Sequence, residues 1–146
     1  MTDQPFAADG QTLAGGPVVL AWDAVGRDAR TPLFGRNVVL HEFAHVLDLL
    51  DNVFDGTPPM GNAELRMQWI SVCTRVFDSV RSGRDDSILR DYAGTNPAEF
   101  FAVATETFFT RPVALLVEQP DLYAVLARFF VQDPARGGGQ PEAPKA

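Results

Sequence analysis

Residues 41–45 read His41-Glu42-Phe43-Ala44-His45, and Val38, Val39, Leu40, Ala44, Leu47 and Leu50 recur around them at helical spacing. Residues four apart on a helix share a face, so both imidazoles can reach one cation while Glu42 leans over the same point. The pattern is H-E-x-x-H, a signature of zinc peptidases. Catalytic zinc takes three protein ligands and a water, lowers the pKa of that water to about 7, and needs a carboxylate to accept its proton. The chain has only two His. Chance would put them four apart with Glu after the first in roughly one sequence in two thousand, so coincidence is a poor explanation. His41 and His45 are therefore expected to bind Zn2+, with Glu42 as general base.

Working outward, the turn-rich run Asp51-Asn52 and Asp55-Gly56-Thr57-Pro58-Pro59 ends the zinc helix, expected over 36–50. Upstream, Pro17-Val18-Val19-Leu20-Ala21-Trp22 reads as a short edge strand, which could pair with an extended peptide. Residues 1–16 read as loop, and one helical turn is expected at Asp23–Arg27. Downstream, Leu65, Trp69, Val72, Cys73, Val76, Phe77 and Val80 follow a 3.6 period, predicting a helix over 63–81 with Asn62 or Gly61 as its cap. A short helix is expected over 85–90. Asn96-Pro97-Ala98-Glu99 is a helix start, with Asn as cap and Pro at the first position, and that helix runs to about Thr110. Pro112 and Pro120 introduce two more helical stretches, the second over Asp121–Val131. The fold class expected is α+β: a mainly helical domain over 1–133 with a small sheet or edge strand before the zinc helix, then a disordered tail over 134–146.

Composition sets bounds. A chain of 146 residues, 46% hydrophobic and 21% charged, suits one globular domain. A net charge of −7 argues against direct nucleic-acid or anionic-membrane binding. No apolar run reaches membrane-spanning length, and the polar start carries no secretory pattern, so a cytoplasmic location is expected. The single cysteine, Cys73, excludes an internal disulfide and sits in an apolar helical stretch, as a small buried hydrophobe would.

Three carboxylates have spacings that suit a third zinc ligand. Asp51 is six beyond His45, but Asp48 stands where a helix-breaking Gly would be required. Glu64 is nineteen beyond His45, and equally serves as a first-turn Glu favouring the helix dipole. Glu99 begins the 97–110 helix, with Glu106 two turns further along the same face and small Ala102 and Val103 between them. It also stands at a capping-box position. Spacing does not choose between Glu64 and Glu99. A metal-bound His donates its other N–H to a carboxylate or carbonyl, and Asp48 or Glu106 could receive it. Asp48 could equally pair with an Arg such as Arg66 or make a contact at the C-terminal end of the helix.

The run His41 to Asp48, Tyr92-Ala93, and the run Pro97 to Phe109 together resemble the Mlc titration factor A family of metallopeptidases, as does Pro17 to Asp23. The likeness covers the chain up to about Asp133. It implies a gluzincin-type zincin with Glu99 as the third ligand, cytosolic aminopeptidase activity on a peptide substrate, and binding to a repressor of the Mlc type. The Tyr-then-Glu order is similar to the catalytic domain of anthrax lethal factor, which implies a catalytic role for Tyr92. A zincin scaffold that sequesters a transcriptional repressor, with little or no hydrolysis, is the other function implied. Members of the family carry a longer helical region before the strand at Pro17. Only residues 1–16 stand there, so part of the substrate cleft is expected to be absent.

Overall fold

A computed structural model describes residues 10–12, 18–20, 37–83 and 87–137. Two three-residue strands, β1 (Gly10–Thr12) and β2 (Val18–Leu20), pair antiparallel with Gln11 opposite Val19. Helix α1 (Val38–Asp48) carries the H-E-x-x-H run. A 3-10 turn at Leu49–Asp51 and a loop lead to α2 (Ala63–Ser82). A second 3-10 turn, Asp91–Gly94, precedes α3 (Pro97–Thr110), followed by α4 (Pro112–Glu118) and α5 (Pro120–Phe130).

The α+β expectation is corrected. The described residues build a helical domain in which helices pack on helices, and a ladder of three residue pairs beside α1 forms no layer. Val18–Leu20 is extended, but too short to supply a core face of its own. Three further expectations change. Gly10–Thr12, read as loop, is a strand. In the expected helix over 85–90, the described residues 87–90 are not helical, and a 3-10 turn follows at Asp91 instead. The tail is ordered beyond Asp133: Pro134–Arg136 forms a 3-10 turn, and the Ala135 N–H donates to the Tyr123 hydroxyl at 3.0 Å. That hydroxyl in turn donates to Asp133. The helical turn expected at 23–27 and the tail over 138–146 lie outside the described residues.

Asparagine starts each of the three long helices that bear on the site. The side chains of Asn37, Asn62 and Asn96 accept from the amides of Leu40, Leu65 and Glu99 at 2.9–3.0 Å. Each satisfies one of the amides a helix start leaves unpaired. Gly83, at φ +65°, closes α2 in the left-handed conformation that costs glycine nothing.

Helix α3 is the core. Every residue from Phe100 to Phe108 is buried, so the helix is enclosed on all sides. Ala102 and Val103 are fully buried, and α1 packs closely against this helix. On another side, Trp69 of α2 stacks edge-on against Phe101 and Phe129, with ring centroids 5.4 and 5.2 Å away. Phe108 gathers Phe109, Tyr123 and Phe130 around it. Cys73 packs against this core, and burial pushes its thiol up to about 12, so it behaves as an apolar side chain.

Gly56 joins three of these elements. Its N–H donates to Asp48 of α1 at 2.8 Å, and its carbonyl accepts from the Trp69 indole at 3.0 Å. Its φ is +75°, and a Cβ built there would lie 2.2 Å from the Pro97 carbonyl oxygen at the start of α3. Gly56→Ala is therefore expected to destabilise the fold by more than about 3 kcal/mol, combining a left-handed backbone with a clash against backbone. Urea unfolding would measure it; a loss below about 1 kcal/mol would show that the junction yields easily.

Candidate metal centre

Helix α1 places His41 and His45 one turn apart on the face turned toward α3, and α3 presents Glu99 from its first turn. The three converge. His41 Nε2 is 2.9 Å from Glu99 Oε2, His45 Nε2 is 3.2 Å from Glu99 Oε1, and the two Nε2 atoms are 3.1 Å apart. Among the described residues this is the one group of three metal-ligating side chains with donor atoms this close. Ligand atoms about 2.05 Å from a tetrahedral ion stand about 3.3 Å from each other, so these spacings fit such an ion with little adjustment.

Glu106, two turns beyond Glu99, is buried with 1% exposure and anchors the pair from behind. Its Oε1 meets His41 Nδ1 and accepts from Arg90 Nη2 at 2.7 Å, while Oε2 accepts the Asn37 amide at 2.8 Å. This pins Nδ1–H on the carboxylate side of the His41 ring and leaves Nε2 facing His45 and Glu99. Burial alone would lower the His41 pKa, but the Glu106 and Glu99 carboxylates overcome it and raise it to about 9. For Glu99, burial would raise the pKa, but hydrogen bonds from His41 and His45 hold it at about 2. A cation entering here meets an ionised Glu99 and must displace a proton from the imidazole pair.

Glu42 is buried at 3% exposure on the next position of α1. Tyr92, in the 3-10 turn before α3, is half exposed, and its ring lies 6.0 Å from that of His41. Its hydroxyl pKa is raised, by burial first and then by the charge of Glu99 and a hydrogen bond to it, with a smaller push from Glu42. Tyr92, Glu99 and Glu42 thus act on one another across the donor set. The alternative ligands lie elsewhere. Glu64 is exposed on α2 beside Gln68, and Asp51 is exposed and accepts the Val53 amide.

Of the roles considered for Asp48, the contact at the helix end is the one the structure shows, and the bond to an imidazole falls to another carboxylate. Asp48 bonds the Gly56 amide, and Glu106 receives the His41 N–H. Two features escaped the sequence reading: the Arg90 partner of Glu106 and the Phe54 ring packed on His45. Neither has a local signal, because each contact is made only when distant segments fold together. Asn37, which the expected helix over 36–50 placed inside the helix, is its cap, and its position directly before an apolar run is the signal that would have found it.

With this geometry in place, the relatives can be compared. Residues 1–131 match the family described as glucose-regulated metallo-peptidase M90. The chain belongs to that family. It is 36% identical over 136 residues to the Mlc titration factor A of Edwardsiella ictaluri, covering 89% of this chain and 51% of the relative. It is 34% identical over 131 residues to the Mlc titration factor A of Yersinia pestis, covering 86% and 47%. An uncharacterized protein of Synechocystis is 34% identical over 122 residues, covering 82% and 44%. The M90 chain thus spans about half the length of these relatives.

Burial raises the Asp48 pKa from 3.8 to about 6, against the Gly56 hydrogen bond and with help from the Asp55 charge. A raised carboxyl pKa means the folded state holds the proton more tightly than the unfolded chain. This group's contribution is therefore most favourable below pH 3.8 and is lost as pH rises to about 6. Asp48→Asn keeps an oxygen for the Gly56 amide and cannot ionise. Between pH 4 and 6, its stability should fall less steeply with rising pH than that of wild type, by urea unfolding of the metal-free chains. Parallel curves would refute the shift.

Proposed function

We propose that this M90 chain is a zinc-dependent peptidase that releases amino-terminal residues from peptides. The observation that carries the reading is the convergence of His41, His45 and Glu99, with Glu42 buried on the same helix and Tyr92 beside the donor set. Zinc held by His41, His45 and Glu99 would supply a Lewis acid and a water with a pKa near 7. Glu42 accepts the proton of the attacking water and passes it to the leaving amine. The Tyr92 O–H donates to the carbonyl oxygen as negative charge grows there. Glu106, neutralised in part by Arg90, holds the His41 ring in one tautomer. The amino-terminal preference rests on the resemblance to the family.

A second reading has its own support. Two of the relatives are called Mlc titration factor A, a name that describes titration of the repressor Mlc by those proteins. The same scaffold in this chain would then bind a repressor of that type, with hydrolysis secondary.

Metal titration separates the ligands from the bystanders. Glu99→Ala should abolish tight zinc binding, Glu64→Ala should leave it unchanged, and Glu106→Gln should weaken it by about 10- to 100-fold. The reverse order for Glu99 and Glu64 would move the third ligand to α2. Catalytic roles are read on amino-acid anilides. Glu42→Gln should keep zinc and lose about 10² to 10⁴ in rate. Tyr92→Phe should keep zinc and lose on the order of 10². If Glu42→Gln and wild type bind an Mlc-type repressor equally and neither cleaves any peptide, the binding reading replaces the enzymatic one.

A further inference from the structure

Building on that reading, we propose that the Phe54 ring forms an apolar subsite for a substrate side chain next to the scissile bond. Phe54 keeps 45% of its surface exposed, yet its ring centroid is 4.7 Å from that of His45. Tyr92 keeps 49% exposed and leans on His41. The two imidazoles cross edge to face, 4.7 Å apart. The donor set is therefore bordered by two half-exposed rings, each against a different ligand. An aromatic ring left half in water forfeits burial, and a guest side chain laid on it would complete that burial.

The ring is held in place. Asp51 accepts the Val53 amide at 3.1 Å, and Gly56, two residues on, is tied to Asp48 and Trp69. Asp55 turns an oxygen onto the Thr57 amide at 3.0 Å. Glu99 serves the imidazoles, and the surface laid directly against His45 is the phenyl ring. This favours an apolar side chain over a small polar one.

The test uses zinc-loaded Glu42→Gln, which binds without turnover. Its equilibrium affinity is measured by calorimetry for tripeptides of alanine carrying Leu, Ser or Lys at the first or second position. Leu should be preferred over Ser by about tenfold at one of these positions. Adding Phe54→Ala or the polar Phe54→Gln should bring that ratio down to about twofold. Phe54→Leu should keep most of it, with zinc content unchanged in all. An undiminished Leu preference in both polar and truncated variants, or a preference for Lys, overturns the subsite. A wild type that cleaves nothing, while the Leu preference still depends on Phe54, leaves the subsite standing and removes the peptidase reading alone.

Discussion

The buried Glu106 carboxylate is the contact on which the site depends. Taking a carboxylate out of water costs several kcal/mol unless its oxygens are matched by donors and an opposing charge. Here the donors come from three places: the Asn37 amide at the head of α1, the His41 ring one turn later, and Arg90 ahead of the 3-10 turn. Withdrawing any of the three leaves the buried carboxylate less well matched. The carboxylate therefore sets the height of α1 against α3, the rotation of the His41 ring, and the place from which the Tyr92 turn departs.

Helix α3 combines two jobs that proteins often separate. Phe100, Phe101 and Phe108 make it the centre of the hydrophobic core, while Glu99 and Glu106 present carboxylates to the imidazoles from the same helix. Side chains on a rigid, enclosed helix are held more closely than side chains on loops, which suits donor atoms that must converge to within a few tenths of an ångström. The small residues Ala102 and Val103 make this possible. They let the two helix backbones approach until imidazole and carboxylate meet.

What was legible in the sequence follows from which signals are local. The zinc helix, the helices of 63–82 and 97–110, and the starts at Asn62 and Asn96 all rest on periodicity and capping within one segment. The α+β class failed because three extended residues after Pro17 say nothing about whether a sheet layer follows them. Glu64 and Glu99 were inseparable by spacing because both begin helices; only the fold puts one at the imidazoles and the other on the surface. Asp48 was legible only as one of several partners, because its place on the helix suits an imidazole contact and a helix-end contact equally. Its partner, Gly56, lies beyond the helix end in a loop whose path depends on Trp69.

The Gly56 junction has a kinetic consequence. The loop carrying Phe54 is fastened to α1, to the central tryptophan and to the start of α3, so it cannot swing away while the core is intact. A rim built this way is not a lid. A molecule bound at the donor set would meet a preformed surface, with no loop closure of the kind that limits turnover in gated enzymes. Opening of that rim at Gly56 would require its hydrogen bonds to Asp48 and Trp69 to break, and the second of these lies in the core.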